Sequence, residues 1–232
     1  MASVRALAAA NNAEWCDLVC RTHGLDPVFD RDAWTSRTRT PPFYPDAVTL
    51  VPELSVPELL DRVDGGAGCS IKDSFASLDL TAFGFRVLFD AEWIMRELRG
   101  GRTTPSKASW RVVRDPDAFE TWKRAWQRDV GVPSVLTADL LRERSVFVLA
   151  GHVGDTFVAG AVLTRTEYAV GISNFFADPG VSAASWDGCL ALVSTLFADA
   201  MLVGYESGDA LDAARAHGFS VAGPLRVWVR DR

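Results

Sequence analysis

Two apolar runs, Ser145–His152 and Thr156–Thr164, flank Gly154-Asp155, a pair suited to a tight turn with φ > 0. That hairpin fixes two antiparallel strands in the middle of a longer alternation. Ahead of it, Trp110-Arg111-Val112-Val113 reads as a strand. Ala118–Asp129 reads as a helix with Phe119, Trp122 and Trp126 on one face, and Leu136–Glu143 as a second helix. After it come a strand over Ala169–Ala177, a helix over Trp186–Asp199 and a strand over Met201–Glu206. A helix over Leu211–His217 stops at Gly218, and Leu225–Arg230 closes as a strand. The order β-α-α-β-β-β-α-β-α-β predicts an α/β (α+β) chain, with a mixed central sheet and helices on both faces.

Composition narrows the alternatives. The chain has 232 residues, 48% hydrophobic and 23% charged, with 13 Phe and 8 Trp, which excludes a disordered chain. It allows one large domain or two small ones. A formal net charge of −6 argues against a general nucleic-acid binder. Basic residues outnumber acidic ones nine to four between Arg96 and Arg128, read here as a solvated linker and helix face. Lysine occurs only at 72, 107 and 123; heavy Arg and Ala use suggests a GC-rich bacterial source. Met1–Ala10 lacks the apolar core of a signal peptide, and no window approaches 18 apolar residues, so no membrane partner is expected. Cys16, Cys20, Cys69 and Cys189 show no metal-ligand spacing and read as buried free thiols, which points to the cytoplasm and to no metal site.

The first half is less regular. Asn12 reads as the N-cap of a helix ending at Gly24, and Asp32 as the cap of a second short helix before the turn at Thr40-Pro41-Pro42. Ala47–Val51 reads as a strand, and Ser55 caps a helix carrying Leu59, Leu60 and Val63. Cys69–Phe75 and Phe85–Ile94 are further strands; in the latter Val87, Phe89, Ala91 and Trp93 alternate with more polar neighbours. Residues 99–109 are Gly, Pro and small polar residues without an apolar period, and they divide the chain into residues 1–98, a linker at 99–109, and residues 110–232.

The element order from Trp110 resembles the GNAT superfamily of acetyl-CoA-dependent N-acyltransferases over nearly all of residues 108–232. Val148-Leu149-Ala150 through Val158-Ala159-Gly160 is similar to the family hairpin. Ala210 and Gly218-Phe219 keep the spacing of a family pattern in which Ser207 replaces Asn and Ala214 replaces Tyr. The resemblance implies an acyl-CoA arm between the strands Ser173–Ala177 and Met201–Glu206. Backbone groups of Phe175, Phe176 and Ala177 then face the thioester. It also implies a pyrophosphate on the amides of the loop Asp178–Asp187, feeding a helix at Gly188, through Ser182, Ala183, Ala184, Ser185, Trp186, Asp187 and Gly188. That loop lacks the family's Arg and first glycine. Glu206, flanked by Ser207, is the implied general base, and desolvation there raises a carboxyl pKa. The implied activity is transfer of an acyl group, acetyl first, from acetyl-CoA or another acyl-CoA to an amine of a small molecule or peptide. The alternative is a catalytically inactive GNAT-like module that binds a ligand or protein. The chain is expected to be a monomer or homodimer.

The first half repeats part of the second. A shift of 134 aligns Ala76/Ala210, Ala82/Ala216, Gly84/Gly218, Phe85/Phe219 and Val87/Val221, with Asp73 at the Ser207 position. Both Gly-Phe pairs precede a closing strand with a Trp, Trp93 or Trp228. Residues 1–98 therefore read as a degenerate, shortened GNAT-like half-domain in tandem with a GNAT-like domain.

Overall fold

Ser3 starts the first helix: its Oγ accepts a hydrogen bond from Ala6 N–H at 3.2 Å, and α1 runs from Val4 to Thr22. The computed structural model describes residues 3–98, 108–130 and 134–231. The helix start predicted at Asn12 is thus displaced, because the Ala-rich run before it is already helical and leaves Asn12 in mid-helix. The strands are β1 (Val28–Phe29), β2 (Ala33–Thr35), β3 (Ala47–Thr49), β4 (Ser70–Asp73), β5 (Phe85–Glu97), β6 (Ser109–Val113), β7 (Val146–Val153), β8 (Thr156–Arg165), β9 (Val170–Ala177), β10 (Met201–Glu206) and β11 (Ser220–Arg230). The further helices are α2 (Val56–Leu60), α3 (Pro116–Val130), α4 (Ser182–Leu196) and α5 (Gly208–Ala216). No helix among the described residues is long and apolar enough to cross a membrane.

Two further boundaries depart from the sequence reading. The short helix expected after Asp32 is the strand β2, paired antiparallel with β1 and β3. Its three residues are all buried, and the Asp32 carboxylate accepts from Arg62 at 2.8 and 2.9 Å rather than capping a helix. The helix expected over Leu136–Glu143 is a short 3-10 turn over Ala138–Arg142. Most of the linker predicted at 99–109 lies outside the described residues.

The chain packs as two compact units. The first holds residues up to Ile94, Tyr205–Asp212 and the segment from Ser220 on; the second holds Met95–Gly204 and Ala213–Phe219. The closing strand β11 is thus grouped with the N-terminal residues.

In the first unit the strands run β1-β2-β3-β4-β11-β5, followed by the Tyr205–Glu206 end of β10. β4 pairs parallel with β3 and antiparallel with β11, from Arg226↔Asp73 to Val229↔Ser70. Neighbouring strand residues point to opposite faces, and each face has its own core. Ala33, Ala47, Ile71 and Trp228 pack with Leu59 of α2. Trp34 and Val48 pack with Ala13, Cys16 and Cys20 of α1. All four cysteines are free and buried.

In the second unit the order is β10-β9-β8-β7-β6, parallel between β10 and β9 and antiparallel elsewhere. The β7–β8 hairpin turns at Gly154 with φ +57°, the conformation its sequence demands. Phe119, Trp122 and Trp126 of α3 are buried, and Trp122 Nε1–H donates to Leu149 O at 2.8 Å. Trp122 meets Phe176 edge-on at 5.3 Å over Gly160, where any Cβ would overlap both rings.

Candidate active site

The site begins with strand β9. Its ladder with β10 comprises Leu202↔Val170 and Val203↔Gly171, whereas its ladder with β8 continues to Ala159↔Ala177. Beyond Gly171, β9 is therefore laddered along its β8 edge. Asp178 N–H donates to Val158 O, so by strand alternation Phe176 also turns its backbone groups toward β8, and those of Phe175 and Ala177 are left on the other edge. Within this stretch the register passes from Val162↔Ser173 to Gly160↔Phe176, one residue longer on β9. That is a β-bulge, and Asn174 takes its left-handed conformation at φ +52°. The bulge was not read from the sequence; the only local signal is that Asn tolerates positive φ better than other side chains.

The chain then turns through a 3-10 turn over Pro179–Val181 into α4, which starts at Ser182. This corrects the boundary expected at Gly188: six residues assigned to a loop are helical, since Ser-Ala-Ala-Ser is a competent first turn. The helix start carries no acidic residue and no capping side chain. Ser182 and Ala183 are exposed, whereas Ser185 is buried with its Oγ unpartnered among the described residues. Trp186 is buried beneath the helix, stacked on Phe175 at 3.9 Å and edge-on to Phe219 at 5.6 Å. His217 stacks on the Trp186 ring with centroids 5.9 Å apart. Its Nδ1–H donates to Ala213 O, and its Nε2 stands 3.8 Å from exposed Asp187. Gly188 is buried within the helix. The first turn thus offers small side chains outward, with the large ring turned into the core.

In the first unit, β10 ends on Tyr205 and Glu206. Glu206 is half-buried and forms no ion pair or hydrogen bond among the described residues; burial alone pushes its carboxyl up to about 7. Ser207 is exposed, and its carbonyl accepts from Leu211 N–H in the first turn of α5. Tyr205 touches Trp93 edge-on at 5.6 Å, and the buried Lys72 ammonium sits 4.2 Å over its ring. Lys72 also donates to Asn12 Oδ1 at 2.8 Å. Sequence reasoning missed this cation because a lone Lys on a strand reads as solvated. Ala214 is fully buried, its carbonyl holding the turn at Phe219 N–H. Among the described residues no cluster of His, Cys, Asp or Glu is arranged to hold a metal ion.

No family model matches the chain, and no curated relative is found by sequence. Solved structures do match. A GCN5-related N-acetyltransferase from Kribbella flavida superposes with a TM-score of 0.70 at 12% identity, over 99% of this chain and 96% of that one. A structure from Novosphingobium aromaticivorans, named for the GNAT-family acetyltransferases, gives a TM-score of 0.54 at 14% identity, over 94% and 96%. The chain has the GNAT fold.

On identities this low the likeness carries the architecture alone, which is that of acyl-CoA N-acyltransferases. The sequence resemblance assigned the ends of β9 and β10 and the segment leading into α4 to acyl transfer; the bulge at Asn174 lies in the first of these. The residues named from that resemblance occupy them: Phe175, Phe176 and Ala177 at the end of β9, Ser182–Gly188 in the first two turns of α4, and Glu206 and Ser207 after β10.

Proposed function

We propose that the chain transfers an acyl group, acetyl the first candidate, from acyl-CoA to an amine of a small molecule or peptide in the cytoplasm. The observation that carries this reading is Glu206, an unpaired carboxyl on the last residue of a central strand, with its pKa pushed up to about 7. Such a group is a competent proton acceptor near neutral pH. The residues fit the donor as well. A helix start with small side chains, no acid and no capping side chain leaves N–H groups and positive partial charge for a pyrophosphate. The free edge of β9 offers backbone groups to a pantetheine arm.

In this reading acyl-CoA supplies the activated thioester. The amine nitrogen attacks the carbonyl carbon, whose oxygen is polarised by backbone N–H groups at Phe175 and Ala177. Glu206 takes the proton lost by the nitrogen, and the C–S bond breaks to release CoA thiolate. Ala214 stands where relatives place a phenol, so water protonates the thiolate. Ser207 orients the acceptor. The shift of 134 is read as a tandem of two GNAT-like halves, the first shortened and without a phosphate loop.

A second reading, a module that binds but does not transfer, is favoured by Ser182-Ala183-Ala184-Ser185 in place of the family's phosphate loop and by Ala214 in place of its Tyr. Release of free thiol from acetyl-CoA, followed with a panel of primary amines, separates the two. Amine-dependent release that Glu206→Gln removes supports transfer. Release that is absent with every amine, or indifferent to Glu206→Gln, contradicts it.

A further inference from the structure

Strand β5 carries a feature the proposed reaction does not use. Val87, Leu88 and Phe89 are 37%, 48% and 38% exposed, and their neighbours Arg86 and Asp90 are exposed too. Adjacent strand residues point to opposite faces, so five exposed residues in a row mean that neither face is fully covered. One edge of this stretch is held by β11: Arg226 pairs with Asp90 at 2.6 and 3.2 Å, and Arg86 with Asp231 at 2.6 Å. Along the other edge β10 is too short to reach it. Leu98 N–H donates to Ala200 O, Tyr205 meets Trp93, and β10 ends one residue later. Residues 86–90 extend past that end as an apolar strand edge, a template for pairing with another chain.

The charges on this segment identify the partner. Read outward from Leu88, the sequence is apolar on both sides and then Arg86 on one side and Asp90 on the other. Antiparallel pairing of two copies about Leu88 sets Leu88 against Leu88, Val87 against Phe89, and Arg86 against Asp90. Parallel pairing would set like charges together. The antiparallel arrangement also extends both existing ion pairs into one alternating row: Asp231, Arg86, then Asp90 and Arg226 of the second copy. We propose that residues 86–90 are the edge through which two copies of this chain pair, about a two-fold axis at Leu88. Five residues from each copy make an interface at the small end of the known range, so the dimer is weak and concentration-dependent.

The test uses the full-length chain. Sedimentation should show a monomer–dimer equilibrium that Leu88→Arg abolishes, with circular dichroism and Tm unchanged because Leu88 is exposed. Under mild oxidation Leu88→Cys should form an intermolecular disulfide, since facing residues in a ladder stand within disulfide reach. The four native cysteines are buried and do not compete. Val87→Cys alone should not cross-link, whereas a mixture of Val87→Cys with Phe89→Cys should. A wild-type chain monomeric at every attainable concentration overturns the proposal, as does a dimer that survives Leu88→Arg. Cross-linking of Val87→Cys as efficient as that of Leu88→Cys overturns the register. A monomer that instead binds an extended peptide at 86–90 also overturns it.

Discussion

At the residue scale, Glu206 sets two opposite expectations. For catalysis, its ionised form accepts the proton, so amine-dependent turnover should rise with pH through about 7. Glu206→Gln should lower kcat by roughly 10²–10⁴-fold, the usual worth of a positioned base. For stability the sign reverses. The folded chain holds the Glu206 proton more tightly than the unfolded chain does, where the carboxyl has its ordinary value near 4.5. Its contribution is therefore fully present below about 4.5 and is lost as pH rises through 7. Glu206→Gln should raise Tm at pH 8 and leave it nearly unchanged at pH 4, by an amount equivalent to about 1–3 kcal/mol. Thermal unfolding at the two pH values checks this, and an equal shift at both contradicts it. Gly160 is a simpler case. A Cβ there stands 2.5 Å from Phe176 Cε1 and overlaps the Trp122 indole, so Gly160→Ala should destabilise the fold by about 1–3 kcal/mol in a denaturant titration.

At the element scale, the two Gly-Phe pairs form matching turns. Gly84 and Gly218 have φ +80° and +85°, and each N–H bonds a carbonyl three residues back, Thr81 or Arg215. Phe85 N–H bonds Leu80 O and Phe219 N–H bonds Ala214 O, partners again 134 positions apart. The two turns are the same motif, and Gly84→Ala and Gly218→Ala should each cost about 1–2 kcal/mol from the left-handed backbone alone, read as matching falls in denaturation midpoint. Elements with a strong period were legible in the sequence: α3 with its Phe119, Trp122 and Trp126 face, the β7–β8 hairpin, and β10. Those that failed had a physical cause. Asn12 and Asp32 are good capping residues, but Asn12 is held by Lys72 inside α1 and Asp32 by Arg62 at the head of β2. Long-range partners of this kind leave no local trace. The early start of α4 was hidden because Ser-Ala-Ala-Ser suits both a loop and a helix. That shift matters for the site, since it turns Trp186 inward against Phe175 and Phe219. Trp186→Ala should cost about 3–5 kcal/mol, as expected for a large core ring, in the same titration.

At the scale of the whole molecule, the first unit is completed by residues from the end of the chain. β4 has β11 as its antiparallel neighbour, and Trp228 and Phe85 share one core cluster. A chain ending at Phe219 should therefore lose the cooperative unfolding of its first unit, seen as proteolysis within residues 1–94; resistance there would contradict it. The architecture was legible from element order, and the candidate site was named from the resemblance, while the bulge at Asn174, the buried Lys72 and the grouping of β11 were not legible, because each depends on contacts between distant segments. The central claim is that the β9 edge and the start of α4 receive acyl-CoA despite the missing Arg and glycine. Calorimetric titration of the full chain with acetyl-CoA and with CoA tests it most directly. The account predicts saturable binding at one site per chain; no heat of binding at millimolar ligand would contradict it.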